Sequence, residues 1–283
     1  MITTRLVSLI VTSLLALTAN VAAGQAQPKN TVPEGKGGSE KVGIVAHRGF
    51  HKYDGSAENS IYAMQLAVDH DFYGTEFDMQ LTADNVPVVF HDPHLQGMAI
   101  GETHHAEIME HPAARLSNGE VMPTLSLFLE SYAKAVEEQQ HRGRQTRLFF
   151  EIKPPSQPEK VDVATSIVKE YVTRHHLENQ VCFISFSLDV CRQLASLMPE
   201  ADVAYLGGDR SPRELKEMGL SGIDYHYRVL LEHPDWVDEA HQLGMTVNVW
   251  TVNEVDIARQ LIELGVDFVT TDLPLEMSEL VQQ

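Results

Sequence analysis

The chain lacks most of what would mark a disulfide-stabilised scaffold or a nucleic-acid-binding protein. Its 283 residues include two cysteines, Cys182 and Cys191. Two are too few for a disulfide framework, and we expect both to be buried thiols rather than a bridge. Only 21 lysines and arginines stand against 40 acidic residues, which gives a formal net charge of −19. A surface of that sign repels nucleic acid and anionic membranes, so an anionic substrate would need a locally positive pocket or a bound cation.

The first 23 residues have the order of regions typical of secretory signal peptides. Arg5 is the only charge before residue 29, and an apolar run at 6–17 is followed by small residues. We predict cleavage after Ala23, with Ala26 as the alternative site. An uncleaved membrane anchor is the other interpretation, but the run is short for a bilayer. We therefore expect a flexible linker at 24–41 and a periplasmic or secreted protein without stable membrane insertion.

From residue 42 onward, short apolar segments alternate with segments of helical periodicity. The pattern predicts eight strands, at 42–47, 75–80, 147–153, 181–186, 202–207, 222–226, 246–252 and 268–271. Helices are expected between them, at 60–70, 125–139, 161–175, 188–198, 213–218, 234–243 and 255–264. Eight strand–helix units in one run indicate a single (β/α)8 TIM barrel, an α/β fold, over 42–283. The alternative is an open doubly wound sheet, but no Gly-rich G-x-G-x-x-G turn supports it.

The regular alternation is interrupted after the second predicted strand. Asp84-Asn85 is a turn-like pair between two apolar runs, which predicts a hairpin whose second arm, at 87–92, returns toward the strand ends. Residues 93–123 then show weak periodicity, and we predict a small insertion that caps the barrel mouth. This cap contains three histidines, His104, His105 and His111. They lack the regular ligand spacing of a second metal site, so a solvated cap is favoured.

Acidic residues share one face of two predicted strands, because side chains alternate along a strand. Glu76 and Asp78 flank Phe77, and Glu151 and Lys153 are likewise two residues apart. We expect the charged side chains to point toward the barrel axis and the apolar ones toward the helices. Three buried carboxylates against one lysine are poorly balanced, and oxygen ligands of this kind suit Ca²⁺ or Mg²⁺. The alternative is a buried ion-pair network in which Lys153 alone neutralises the acids.

Histidines end two of the predicted segments. His47 and Arg48 close the first strand, and His91 closes the returning arm of the hairpin. Histidine can act as a general acid or base near neutral pH, and arginine can bind a phosphate through two hydrogen bonds. Taken singly, each histidine is more simply a structural residue, since the chain contains 14.

The order of these motifs resembles the glycerophosphodiester phosphodiesterase family from residue 42 to the C-terminus. The N-terminal half carries His47-Arg48, Glu58-Asn59-Ser60, Glu76-x-Asp78, His91-Asp92 and Glu151-Ile152-Lys153. The C-terminal half adds Ile-Ser-Phe at 184–186, Asn-Val-Trp-Thr-Val-Asn at 248–253 and Thr-Thr-Asp-Leu-Pro at 270–274. The order and spacing of the whole set, rather than any single motif, make the resemblance specific.

The resemblance implies the chemistry of the site. His47 and His91 would be the acid–base pair. One divalent cation, Ca²⁺ or Mg²⁺, would be held by Glu76, Asp78 and Glu151. The implied reaction is hydrolysis of a small-molecule glycerophosphodiester to glycerol 3-phosphate and an alcohol, with the glycerol 2-hydroxyl as the first nucleophile.

The resemblance also implies how the substrate is bound. Arg48 and Lys153 would bind the phosphate, and Glu58 would orient Arg48 and could also reach the metal. Trp250 would pack against the glycerol carbons, although a core aromatic at this position is an equally good interpretation from sequence.

Two segments depart from the family pattern, and both are expected near the mouth. Ala57-Glu58-Asn59-Ser60 stands where Pro-Glu-Asn-Thr is usual, after an unusual loop at 50–56, and the insertion at 93–123 lacks the common Arg-Thr pattern. The alcohol specificity therefore stays open, and a lysophospholipase D or sphingomyelinase-D-like lipid phosphodiesterase is the first alternative. A phospholipase-C-like barrel is another. A non-catalytic secreted binding protein is a third, but no acid, base or metal ligand is missing.

Overall fold

A computed structural model describes residues 42–140 and 143–282. The predicted signal peptide and linker lie outside the described residues. The strands within them are β1 (Gly43–Ala46), β2 (Gly74–Leu81), β3 (Pro87–Val89), β4 (His94–Leu95), β5 (Met98–Ala99), β6 (Arg147–Ile152), β7 (Val181–Ser185), β8 (Asp202–Tyr205), β9 (Gly222–His226), β10 (Thr246–Trp250) and β11 (Phe268–Thr271). The α-helices are α1 (Ile61–Asp69), α2 (His105–Glu110), α3 (Leu125–Gln140), α4 (Val161–Arg174), α5 (Leu188–Leu197), α6 (Pro212–Glu217), α7 (Tyr227–Glu232), α8 (Asp235–Gln242), α9 (Val255–Leu264) and α10 (Pro274–Leu280).

Eight parallel strands close into a barrel surrounded by helices, which confirms the predicted fold. β1 pairs with β2 on one side and with β11 on the other. The remaining strands follow in the order β2, β6, β7, β8, β9, β10 and β11. Closure excludes the open doubly wound sheet, which would leave two free edges. Two predicted strands match β9 and β11 to the residue, and the other six agree within two residues at each end.

Strand side chains divide between the barrel interior and the shell of helices. Phe77 of β2 packs on Phe128 of α3, with ring centroids 4.4 Å apart, and Ile152 of β6 lies in the same outer core. These two residues therefore face the helices, as predicted. The opposite faces of the strands build a small apolar cluster inside the barrel: Val45, Phe149, Cys182, Ile184, Ala204, Leu206 and Phe268.

The predicted hairpin after β2 is present, and the cap follows it. β3 pairs antiparallel with β2, and the turn uses Asn85 with φ of 63°, a conformation that asparagine tolerates better than most residues. Residues 93–123 contain the β4–β5 ribbon, α2 and two short 3₁₀ helices around their own apolar cluster, which includes Ile100, Ile108 and Met122. These elements are too short to give a clear sequence period.

The α-helices of the described residues that the sequence does not predict are α2, α7 and α10. Each has six or seven residues, so each completes at most two turns and gives little amphipathic pattern. A predicted helix end is confirmed at Gly265, which caps α9 with φ of 91°, a value that favours glycine. No helix in the described part of the chain is long and apolar enough to cross a membrane.

Both cysteines are free and buried, as predicted. Cys182 lies in the apolar cluster inside the barrel, whereas Cys191 lies in the outer core between strands and helices. The two thiols therefore belong to opposite sides of the barrel wall.

Candidate active site

Charged side chains gather at the carboxyl ends of β1, β2 and β6, which we call the mouth of the barrel. These strands are neighbours, and the carboxyl ends of parallel barrel strands meet at one end of the fold. Glu76 and Asp78 project from β2, and Asp78 lies in register with Glu151 of β6. One ligand oxygen of each residue lies within 4.8 Å of those of the other two. The structure thus brings the three predicted carboxylates together.

Two cations are close to this carboxylate cluster. Lys153 Nζ lies 2.8 Å from Asp78 Oδ1 and 2.6 Å from Glu151 Oε1, and Arg48 Nε lies 3.7 Å from Asp78 Oδ2. The Glu76 carboxylate accepts a hydrogen bond from the Arg48 backbone N–H at 2.7 Å through Oε2. Its Oε1 atom is buried without a hydrogen-bond partner among the described residues. Three buried acids therefore face two cations, and the balance is incomplete at Glu76.

The pKa shifts of the three acids follow from this imbalance. Burial, reinforced by Asp78 and Glu151, raises the pKa of Glu76 well above its usual range. Burial and Asp78 also raise the pKa of Glu151 to about 8, against the effect of Lys153. Burial acts in the same direction on Asp78, but Lys153 and other donors lower its pKa below the usual value. Added positive charge beside Glu76 and Glu151 would relieve their crowding.

A tight turn places Arg48 across the cluster. Arg48 and Gly49 have positive φ values, 51° and 76°, and a Cβ at Gly49 would approach Ala63 to 2.6 Å. The turn aims the Arg48 backbone N–H at Glu76 and leaves the guanidinium to pair with Glu58, with Nη1 2.6 Å from Oε2. Glycine is required at 49, and its presence fixes the direction of the preceding arginine.

Asn59 holds Asp78 in place from the loop before α1. Its Nδ2 donates to Asp78 Oδ2 at 2.8 Å, and its Oδ1 accepts from the Asp78 backbone N–H at 3.0 Å. Asn59 itself has φ of 58°, a left-handed conformation that is affordable because the surrounding contacts fix it. These two hydrogen bonds orient the Asp78 carboxylate without neutralising it.

His47 forms a partly buried pair with an aspartate that follows the last barrel strand. His47 Nδ1 donates to Asp272 Oδ1 at 2.7 Å, and Asp272 Oδ2 accepts from Asn253 Nδ2 at 2.7 Å. Burial would raise the pKa of Asp272, but the bonds from His47 and Asn253 lower it to about 2. Asp272 is therefore a carboxylate at neutral pH. It leaves His47 Nε2 directed at the mouth, 4.0 Å from Glu76 Oε2.

His91 returns to the mouth on the hairpin. Its Nδ1 pairs with Asp92 Oδ1 at 2.7 Å, and its backbone carbonyl accepts from Gln80 Nε2 at 2.9 Å. Burial lowers the pKa of His91, with Lys153 acting in the same direction and Asp78 opposing. Each of the two mouth histidines thus uses Nδ1 for a carboxylate and keeps Nε2 for other partners.

An aromatic wall lies across the mouth from the charged cluster. Trp250 ends β10, and its Nε1 donates to the backbone carbonyl of Asp224 at 2.9 Å. Phe186 and His226 stand nearly perpendicular to the indole, with centroids 5.5 and 5.2 Å away. Phe186 is 44% exposed. The wall presents carbon surface at the rim, and Trp250 also packs against the apolar cluster inside the barrel.

The carboxylate cluster fits one divalent cation. Glu76, Asp78 and Glu151 form a group of hard oxygen donors, and Glu76 Oε1 is buried without a hydrogen-bond partner among the described residues. Unsatisfied buried carboxylate oxygens are costly unless a cation binds them, and a small oxygen site suits Ca²⁺ or Mg²⁺. The alternative of a network neutralised by Lys153 alone does not account for Glu76, which Lys153 does not contact at ion-pair distance.

Several partners in this site are not predicted from sequence. Asp272 and Asn253 lie in segments that resemble the family, but nothing in their spacing predicts the bond to His47, 225 residues away. Asn59 is likewise recognised only as part of a motif. His51, in the unusual loop at 50–56, carries no recognisable signal, yet it contacts the site.

Comparison with known proteins gives a consistent set of relatives. A sequence model described as the Glycerophosphoryl diester phosphodiesterase family matches residues 47–276. A glycerophosphodiester phosphodiesterase of Caldanaerobacter subterraneus subsp. tengcongensis is 26% identical over 261 residues, which cover 86% of this chain and 99% of that protein. The matched residues therefore extend from the end of β1 to α10.

Solved structures of similar shape extend the comparison. A glycerophosphodiester phosphodiesterase from Parabacteroides distasonis has a TM-score of 0.81 and 42% identity, covering 87% of this chain and 98% of that one. A phosphodiesterase from Oleispira antarctica, solved in complex with the product sn-glycerol-3-phosphate, has a TM-score of 0.68 and 22% identity, covering 86% and 98%. At the lower identity the likeness concerns the fold alone.

Proposed function

The chain belongs to the glycerophosphoryl diester phosphodiesterase family, and on that premise we propose that it hydrolyses glycerophosphodiesters to glycerol 3-phosphate and an alcohol with one divalent cation bound. As a member of this family it is a phosphoric diester hydrolase. The observation that carries the finer proposal is the buried carboxylate cluster, in which Glu76 Oε1 lacks a hydrogen-bond partner among the described residues, beside the cations Arg48 and Lys153. The carboxylates can hold a metal cation, and Arg48 and Lys153 lie beside them. A negatively charged phosphodiester could therefore bind to the cation and to the two side chains together.

The divalent cation, Ca²⁺ or Mg²⁺, is assigned to Glu76, Asp78 and Glu151. When bound, it supplies Lewis acidity toward a phosphoryl oxygen and offsets the negative charge that develops there. Asn59 keeps Asp78 oriented for this role through two hydrogen bonds. Lys153 occupies part of the same space at 2.6–2.8 Å from two of the carboxylates, so its ammonium shares their charge with the cation.

Arg48 and Lys153 are assigned to the substrate phosphate. Both lie at the edge of the carboxylate cluster, and a charge-assisted hydrogen bond from either is strong in a partly buried site. Glu58 orients Arg48 through the 2.6 Å contact and, at 51% side-chain exposure, can release it toward a ligand at little cost. Trp250 is assigned to the glycerol carbons, for which its indole offers an apolar surface.

His47 and His91 are assigned as the acid–base pair. Each has Nδ1 engaged with a carboxylate, Asp272 or Asp92, which fixes the ring and leaves Nε2 to exchange a proton with substrate. In the first step one histidine removes the proton of the glycerol 2-hydroxyl, which attacks phosphorus. The other protonates the departing alkoxide. In the second step water opens the cyclic phosphate with the roles exchanged.

The 2-hydroxyl step has its own test. An internal hydroxyl held beside phosphorus avoids much of the entropy loss of recruiting water. A substrate analogue without the 2-hydroxyl should therefore bind but scarcely react. Turnover of that analogue at a rate near that of the natural substrate would replace the cyclising step with direct attack by water.

The overall activity is tested by a product assay on a panel of glycerophosphodiesters, run with chelator and with Ca²⁺ or Mg²⁺ restored. Glycerophosphocholine and lysophosphatidylcholine belong in the panel, because preference for the latter favours the lysophospholipase D alternative. We expect glycerol 3-phosphate as the phosphorylated product, no turnover in chelator, and recovery with one of the two ions. Full activity in excess chelator, with no metal retained by elemental analysis, would contradict the proposal.

We also propose that the enzyme acts outside the cytoplasm. The apolar run before Ala23 and the small residues that follow it support export. N-terminal sequencing of the mature protein should begin at Gly24, or at Gln27 if cleavage follows Ala26. An intact Met1 on a cytoplasmic protein would contradict this assignment.

A further inference from the structure

The hairpin that carries His91 is bonded through its main chain only as far as Phe90. On one side β3 pairs antiparallel with β2, and on the other the Val89 backbone N–H donates to the Pro123 carbonyl at 2.8 Å. The Phe90 backbone N–H then donates to the Asp78 carbonyl at 3.0 Å. Within the described part of the chain, the His91 backbone has no main-chain hydrogen bond. His91 therefore lies one residue beyond the end of the bonded hairpin.

The ring of His91 is held less firmly than the ring of His47. His91 Nδ1 pairs with Asp92 Oδ1 at 2.7 Å, but these two side chains are 37% and 66% exposed. The corresponding exposures for His47 and Asp272 are 20% and 21%. An exposed pair adds little to the order of the groups that form it. The contact with Asp92 is thus a weak anchor for a residue that has to be placed accurately.

Gln80 supplies a buried anchor for the same residue. It follows Asp78 by two residues on β2, so the two side chains project from one face of the strand. Gln80 is 8% exposed, and its Nε2 donates to the His91 carbonyl oxygen at 2.9 Å. A side-chain amide of β2 thereby extends the attachment of the hairpin by one residue, at the point where the main-chain bonds end.

We propose that Gln80 is a positioning residue that holds His91 at the distance from the carboxylate cluster which proton transfer requires. The inference rests on the proposed function of His91 as acid or base. β2 also carries Glu76 and Asp78, so one strand places both the ligands of the cation and the anchor of the histidine. A misplaced acid or base slows the chemical step without weakening substrate binding, and Gln80 should therefore act on kcat and not on KM.

Gln80→Met tests the hydrogen bond directly. Methionine keeps the length and the unbranched shape of the side chain but has no N–H to donate. We expect kcat to fall about 10-fold, a part of the full contribution of a positioned acid or base, and KM to stay within about 2-fold. The affinity for Ca²⁺ or Mg²⁺, measured by calorimetry, should be unchanged. A loss of ion affinity as large as the loss of kcat would overturn the proposal, because Gln80 would then act through Asp78.

A double-mutant cycle shows whether the effect passes through His91. In a His91→Gln background, Gln80→Met should cost little more, since the residue that it places is already gone. In a Trp250→Phe background the loss of about 10-fold should persist, because Trp250 lies across the mouth and is assigned to substrate binding. Equal losses in the two backgrounds would overturn the proposal.

Gln139→Met is the matched control. Gln139 is also buried, at 1% exposure, and its Nε2 donates to a backbone carbonyl, that of Val68, at 3.1 Å. It also bonds to Thr146, just before β6, and so belongs to the amino ends of the strands. Gln139→Met should lower the melting temperature and leave kcat at the wild-type value. A fall in kcat equal to that of Gln80→Met would mean that both act through general stability, and the proposal would fail.

The anchor can also be measured without turnover. In Gln80→Met the Phe90 amide, the last main-chain donor of the hairpin, should exchange with solvent about 10-fold faster, while the Val89 amide keeps its rate. An unchanged rate at Phe90 would overturn the proposal in an active or an inactive enzyme. If Gln80→Met does not fold, Gln80→Asn replaces it in every measurement, because its amide is one methylene too short for the contact. If the wild type hydrolyses no glycerophosphodiester, the proposed function fails, and the Phe90 amide still reports whether Gln80 holds the hairpin.

Discussion

The two ends of β11 carry the same kind of pair and use it differently. Asp267 precedes the strand and accepts from His241 Nε2 at 3.1 Å, whereas Asp272 follows the strand and accepts from His47 Nδ1 at 2.7 Å. The same oxygen of Asp267, Oδ2, also accepts from the Val247 backbone N–H at 2.7 Å, so this pair is held by contacts within the fold. The Asp272 pair instead leaves a histidine nitrogen directed at the mouth. Position at one or the other end of the barrel, rather than the chemistry of the pair, therefore separates the pair to which we assign a role in catalysis from the pair to which we assign a structural role.

The amino ends of the barrel strands and the mouth also differ in how well their charges balance. At the amino ends of the strands, Arg147 of β6 pairs with Asp202 of β8 at 2.7 Å, one cation to one carboxylate. At the mouth, three carboxylates share Arg48 and Lys153, and within the described residues Glu76 Oε1 has no hydrogen-bond partner. The Arg147–Asp202 pair is neutral without a bound ion, whereas the carboxylate cluster carries excess negative charge and can bind a cation. Substitutions matched across the two ends therefore test this comparison directly.

The largest contrast is expected between Asp78→Asn and Asp202→Asn. Loss of the Asp78 charge should weaken cation binding and remove several kcal/mol of transition-state stabilisation, about 10³-fold or more in kcat. The metal-free variant should still fold but with a lower melting temperature, because Lys153 loses the charge of Asp78, with which it pairs at 2.8 Å. Asp202→Asn should lower the melting temperature and spare kcat. Metal content, kcat and thermal unfolding are the measurements, and equal activity of the two variants would break the comparison.

The next contrast concerns the histidines themselves. His47→Gln and His91→Gln should each reduce kcat by about 10²–10⁴-fold, the usual contribution of a positioned acid or base. His241→Gln should retain the wild-type rate. Steady-state kinetics at several pH values check this, with circular dichroism to show that all three variants fold. A loss of activity in His241→Gln as large as that in His47→Gln would remove the distinction between the two ends.

A smaller contrast is expected between the two aspartates that flank β11. Asp272→Asn keeps the shape of the side chain but removes the charge that stabilises a protonated His47, so kcat should fall on the order of 10²-fold, at the low end of acid–base contributions. Asp267→Asn should leave kcat unchanged and reduce stability, because a backbone N–H and a histidine both lose a charged acceptor. Parallel urea unfolding and kinetics separate the two outcomes. Retention of full activity by Asp272→Asn would show that His47 needs no oriented carboxylate.

The contacts of the site also differ in how far the sequence predicts them. The pairing of Glu76 with Asp78, and of Glu151 with Lys153, follows from two-residue periodicity alone, because side chains two apart share one face of a strand. Closure of the barrel then brings the two strands together without further information. This local rule accounts for the carboxylate cluster and for the inward direction of its charges.

Contacts between distant segments have no such rule. Asp272 meets His47 only because β11 closes against β1, and Asn59 reaches Asp78 through a left-handed turn that no periodicity indicates. His51 approaches Asp272 from a loop whose conformation depends on packing of Phe50 against Phe72 and His70. Side-chain partners set by tertiary closure therefore had to be observed, whereas the strand faces could be predicted.

The smallest expected effect concerns the His241–Asp267 pair and the way its contribution to stability depends on pH. The hydrogen bond to Asp267 raises the pKa of His241 above its usual value, against the effect of burial. A group whose pKa is raised on folding stabilises the folded state fully below its unfolded pKa, about 6.5, and that contribution is lost as the pH rises through the higher folded pKa. His241→Gln should therefore cost about 1 kcal/mol of unfolding free energy near pH 5.5, the size of a partly exposed pair, and less near pH 8.5. Urea unfolding at the two pH values measures the difference, with kcat unchanged at both. A cost that is constant or grows with pH would mean that the pair contributes through packing rather than charge, and the two ends of β11 would then differ in kind rather than only in position.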